Sequence, residues 1–150
     1  MQQLAQQAGF VEIGDVVGAG SSIDDESDVV DTQGYEGVVF MTKITDSVED
    51  GVAKLIAEQA ATDSAGAMAA LAGATATRTC VVTDDLNGLL LIVDVFRPRE
   101  RYVMARRTSA TANIAFGDVV AILYGKKGKL PVTDHASVGH KVAVASPAEA

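Results

Sequence analysis

Glu36-Gly37-Val38-Val39-Phe40-Met41-Thr42-Lys43-Ile44-Thr45 decides the fold class. β-Branched and aromatic residues dominate it, and at the two-residue strand period Val38, Phe40, Thr42 and Ile44 share one face, so the stretch predicts a strand with a buried side. Ahead of it, Asp31-Thr32-Gln33-Gly34-Tyr35 combines turn formers. Further upstream, Ile23–Asp31 is acidic and polar and reads as an exposed loop feeding the strand. Behind it, Asp46–Gly51 is an acidic turn, and Val52–Gln59 alternates Ala53, Leu55 and Ala57 with Lys54 and Glu58 as a second strand does.

Four further segments carry strand signals: Thr77–Thr83, Leu89–Phe96, Arg101–Thr108 and Ile114–Leu123. The Ala-rich stretch Ala65–Gly73 between them predicts a short helix or loop. Arg97-Pro98-Arg99-Glu100 is short enough to close a hairpin between 89–96 and 101–108, with Pro98 barred from a central ladder position. Short strands at regular spacing predict an all-β domain, an antiparallel β-sandwich of jelly-roll type with at most one short helix. Residues 1–22 form an N-terminal arm in this reading, 23–132 the sandwich and 133–150 a C-terminal extension that ends in a frayed Ser146–Ala150. Gly18-Ala19-Gly20-Ser21-Ser22 reads as flexible loop, because no lysine or strand-to-helix context follows to make it a phosphate cradle.

The chain has 150 residues, 48% of them apolar and 21% charged, which suits one folded domain with a single core. Seven aromatic residues, none of them Trp, leave that core aliphatic and make base-stacking platforms unlikely to form. The longest apolar run, Leu89–Val93, is far below the roughly 20 residues of a membrane span. No basic segment precedes an apolar one at the N-terminus, and the single Cys80 can form no internal disulfide; both suit synthesis in a reducing cytoplasm.

The net charge of −8 argues against nucleic-acid binding. It is unevenly distributed, with thirteen acids and two bases in residues 1–75, and seven acids and ten bases in 76–150. Such a chain suits self-association, or docking onto another charged protein, when its halves do not simply meet in the fold. Catalytic candidates are few. His135 and His140 lie in the C-terminal extension and Cys80 in a strand, without the base and orienting group a nucleophile needs. Their spacing is no recurrent metal motif, and Asp24–Asp28 lacks the pattern of a calcium loop, so no metal or cofactor is expected. Arginine is used throughout Phe96–Tyr102 and at Arg106-Arg107, which favours bidentate pairing at a protein interface. The interface residues expected are Phe10, Ile13, Tyr35, Arg97, Arg99, Arg101, Tyr102 and Arg106.

Asp31–Phe40, the Ala-rich middle, Arg101-Tyr102-Val103, Ala121-Ile122-Leu123-Tyr124-Gly125 and Leu130-Pro131-Val132 together resemble a family of small structural proteins of tailed bacteriophages, over residues 31–132. Gln33 stands where that family's pattern has Lys. The resemblance implies a capsid cement (decoration) protein with a jelly-roll fold, made in the host bacterial cytoplasm and placed on the virion surface. Its implied partners are the major capsid protein and itself, as a dimer or trimer, with no membrane and no direct nucleic acid. A neck or tail component of the virion is the structural alternative. A small β-sandwich hydrolase or ligand-binding protein using His135 and His140 is the alternative of a different class.

Overall fold

A computed structural model of the protein describes residues 3–128 and 130–145. It contains one helix, α1 (Leu4–Gln7), and ten strands: β1 (Gly9–Gly14), β2 (Val17–Gly20), β3 (Asp24–Glu26), β4 (Val30–Asp31), β5 (Gly37–Ser47), β6 (Val52–Ala60), β7 (Ala69–Thr79), β8 (Leu90–Phe96), β9 (Tyr102–Ala110) and β10 (Ile114–Tyr124). A single 3-10 turn, Ala65–Ala67, precedes β7. No helix among the described residues is long and apolar enough to cross a membrane.

The strands form two antiparallel sheets. Sheet I runs β1-β10-β5-β8, with β2 continuing β1 along β10; sheet II runs β3-β9-β6-β7, with β4 continuing β3 along β9. When each broken edge is counted as one strand, the orders are 1-8-3-6 and 2-7-4-5. First pairs with last, second with seventh, third with sixth and fourth with fifth. This is one long hairpin rolled over itself, the jelly-roll arrangement of two sheets.

Alternation explains the core. Val38, Phe40, Thr42 and Ile44 of β5 are all buried, beside Leu91, Val93 and Val95 of β8 and Val119, Ala121 and Leu123 of β10, and this layer meets Ala53, Leu55 and Ala57 of β6 from the other sheet. The core is mainly aliphatic, with Phe40 and Phe116 fully enclosed within it.

Several local expectations are corrected. β8 and β9 do not make a hairpin: β8 pairs with β5 in sheet I and β9 with β6 in sheet II. Both strands carry an apolar face, and those faces meet across the sandwich. Arg97, at φ 52°, and Pro98 end the ladder and turn the chain from one sheet to the other. Of the Ala-rich segment, Ala65–Ala67 is the short 3-10 turn and residues 69–73 begin β7, where pairing with β6 outweighs the helix preference of a few alanines. Opposite Ala57, residues 71–74 bulge, with Gly73 at φ +77°. The strand expected through Thr83 stops at Thr79 because Asp85 accepts the N–H groups of Val81 and Val82 and closes a turn. Leu86 plugs the core from that turn.

Residues 9–20 are not a free arm. β1 and β2 pair with β10, and Ile13 is 2% exposed in the core. The glycines that exclude a helix are compatible with an edge strand. Gly18–Gly20 thus lies in β2, and the acidic loop is in part β3 and β4. The C-terminal segment returns along β1: Ser137 Oγ accepts the Glu12 N–H, and the Val132 N–H reaches the Gln6 carbonyl. Ser146–Ala150, expected to fray, lies outside the described residues.

One polar group holds the layers in register. Arg107 is 1% exposed, its guanidinium on the Asp25 carboxylate of β3 (2.6 and 3.1 Å), the Gly117 carbonyl in a bulge of β10 (2.5 Å) and the Asp15 carbonyl between β1 and β2 (2.7 Å). Strand alternation could have found it, since Arg107 shares the inward parity of Val103 and Ala105.

Two outcomes follow. Asp25→Ala should lower the unfolding free energy by about 3 kcal/mol, since it leaves a buried guanidinium without its counter-charge; Asp31→Ala, which breaks an exposed pair with Arg101, should cost far less. Urea denaturation of the two variants measures the difference. Deleting residues 1–20 removes the partner of β10 and Ile13 from the core, and should give an insoluble chain or one whose melting temperature falls by more than 10 °C on the scale of about 2–4 °C per kcal/mol for this size.

Candidate interaction surface

The link between β8 and β9 forms one corner of the sandwich. There Arg97, Arg99, Arg101, Tyr35 and Lys127 line a groove of about 480 Å³. Arg101 forms a bidentate pair with Asp31 (2.8 and 2.7 Å) and lies over the Tyr102 ring at 5.1 Å. Arg97 lies over Phe96 at 4.9 Å and reaches Glu36 at 3.5 Å, while Lys126 lies over Tyr35 at 4.7 Å. Arg99 is exposed and, among the described residues, has no ion pair. The Arg101 guanidinium holds the Asp31 carboxyl below the usual carboxylate range.

Five of the eight residues expected at an interface therefore gather here: Tyr35, Arg97, Arg99, Arg101 and Tyr102. The other three do not. Ile13 is core. Arg106, in mid-β9, is held by Glu58 (2.9 Å), Asp24 (2.6 Å) and Glu26 (2.5 Å), which together raise its already high pKa. Phe10 lies on the outer face of sheet I. The acidic and basic halves of the sequence meet inside the molecule, for Glu36, Asp31, Asp24, Glu26, Glu58 and Asp25 all pair with arginines of the second half.

That outer face is what the residue-by-residue reading missed. The register aligns Phe10, Ile122, Val39 and Asp94 in one row across sheet I, and Glu12, Val120, Met41 and Ile92 in the next. Leu90, Ile92 and Phe96 are 53%, 51% and 59% exposed, and the other apolar members are half-buried. The opposite face of the sandwich carries Lys54, Arg106, Thr108, Thr75 and Thr77, interspersed with Val52, Ile56 and Met104. The sequence signal was available: Leu90–Val93, Val38–Met41 and Val119–Leu123 are continuous apolar runs, and a strand wetted on one face would alternate.

The Tyr124 ring lies across Gly37, where a Cβ would collide with it, and its hydroxyl donates to Asp94 at 2.6 Å. Burial, followed by the Asp94 carboxylate, pushes the phenol up to about 12.

Other chemistry is thin among the described residues. Glu12, Asp15 and Asp118 are the one group of carboxylates close enough to share a cation, all partly or fully exposed, and Glu12 already accepts the Gly14 N–H. His135 is exposed beside Ser137, and burial pushes the Cys80 thiol up.

The Tyr124 phenol should titrate near pH 12 in an absorbance titration, and Tyr124→Phe should delete that step. Because its folded pKa lies above the unfolded value of about 10, this contact is fully present below pH 10 and its contribution fades between about 10 and 12.

No known protein-family profile matches the chain, and no curated protein matches it. Among solved structures it is similar to the crystal structure of PBSX exported protein XepA, with a TM-score of 0.49 and 14% identity over 97% of this chain. The chain spans 46% of that protein's length.

Proposed function

We propose that this chain is a structural component of a bacteriophage virion, a cement protein that binds the outside of the head shell and acts by burying surface. The observation that carries the reading is the apolar outer face of sheet I, which runs at one end into the aromatic and arginine corner. Exposed apolar surface of this extent, rimmed by charge, marks a protein-binding site. The resemblance of residues 31–132 to small phage structural proteins supports the choice of partner. On this reading the major capsid protein covers the outer face of sheet I.

The mechanism needs no turnover. A copy bridging two capsid subunits buries on the order of 1,200–2,000 Å². When those contacts exist only in the mature arrangement of the subunits, binding stabilises that arrangement by linkage, and a lattice of copies multiplies the effect.

Val39→Lys with Ile122→Lys, both on the outward face of central strands, should abolish binding to purified heads while leaving the β-type circular dichroism spectrum intact. Heads made without the protein should assemble normally yet lose packaged DNA at lower temperature, with resistance restored by adding it back. Heads that survive heat and osmotic shock equally well without it would overturn reinforcement; a ring's worth of copies per virion, in place of hundreds, would point to the neck or tail.

A further inference from the structure

The two sheets have four edges, and three are closed to further pairing by recognisable devices. The β1 edge is met by the C-terminal segment through Ser137. The β3/β4 edge is broken into two short pieces and carries Asp24 and Glu26. The β7 edge is interrupted by its four-residue bulge. Short, charged, bulged or covered edges are how sheets avoid adding strands.

β8 has none of these protections. It pairs with β5 in unbroken register from Leu90 to Phe96, and among the described residues no backbone hydrogen bond reaches its other side. Beside Ile92–Asp94 the small residues Gly73–Ala76 border a cleft of about 200 Å³, and Leu71 and Gln59 border an open cleft beside Asp94–Phe96. Its one charge, Asp94, bends away over β5 to the Tyr124 hydroxyl.

We propose that two copies of this chain join along β8, antiparallel across a two-fold axis, so that their two I sheets become one continuous sheet. With Val93 on the axis all seven residues pair: Leu90 meets Phe96 of the second copy, Leu91 meets Val95, and Ile92 meets Asp94. A shift that places Asp94 on the axis sets two carboxylates directly opposite, which is destabilising. Charge beyond the strand ends selects a second copy as the occupant. The antiparallel direction carries the Arg97–Arg99 corner of each copy to the Asp84–Asn87 turn of the other, where Asp84 and Asp85 are exposed. Arg99 then gains the carboxylate it lacks within its own chain, twice per dimer. This dimer stands whether or not the protein belongs to a virion.

Sedimentation equilibrium of the full chain should give twice its 15.5 kDa mass, with dissociation favoured by added salt. Leu90→Lys with Phe96→Lys sets like charges opposite each other at both ends of the pairing, on side chains that are exposed in the single chain, and should raise the dissociation constant by at least about 100-fold. Leu90→Cys with Phe96→Cys should give a covalent dimer on oxidation, and neither single cysteine variant should, because the register puts each opposite a non-cysteine. A wild-type chain of single-chain mass at about 100 µM overturns the proposal. So does a dimer that the lysine pair leaves intact, or a doubly substituted cysteine chain that fails to cross-link.

Discussion

The guanidinium of Arg107 is the constraint around which the sandwich closes. A buried arginine is tolerated only if its charge is matched and its donors find acceptors. Here the acceptors come from β3, from the bulge of β10 and from the break between β1 and β2. That explains why sheet I carries these irregularities where it does. The bulge frees the Gly117 carbonyl, which also takes the Thr42 hydroxyl from β5. The break between β1 and β2 presents the Asp15 carbonyl. An acidic segment that reads as solvated loop is drawn into a strand because its middle carboxylate is needed inside.

The two outer faces of the sandwich differ in composition. Sheet II mixes threonines, a lysine and a paired arginine with Val52, Ile56 and Met104. Sheet I carries side chains as apolar on the outside as many proteins bury. The aromatic and arginine corner at the end of sheet I adds direction to that surface: cations stacked on Phe96, Tyr102 and Tyr35 are held in fixed positions at small entropic cost.

Strand existence was legible wherever alternation was strong. β5, β6, β8, β9 and β10 all lie within a few residues of their expected positions. Which strand sits beside which was not legible, because alternation fixes a strand's two faces and says nothing of its sheet; the hairpin expected between β8 and β9 failed on that point. β1 to β4 were hidden by glycine and aspartate, residues that disfavour strands in isolation and were overruled by β10 and by the arginines of β9. At the candidate surface, the arginines and tyrosine that cluster in the sequence also gather at one corner of the fold. It could not separate Arg106, neutralised by three carboxylates of its own chain, from Arg99, which has none. Ile13 and Phe10 differ only by the parity of a strand whose existence was itself unread.

The pairing of the first strand with the last sets the timetable of folding during synthesis. Gly9 lies opposite Leu123, and β10 is the neighbour of both β1 and β5, so sheet I is not complete, and Arg107 does not reach the Gly117 carbonyl, until β10 has been made. Until then only the β6–β7 pairing is local. Contacts this distant in sequence close slowly. β1 and one side of β5 therefore wait for their partner until β10 is made, and collapse or chaperones must hide their apolar surface meanwhile.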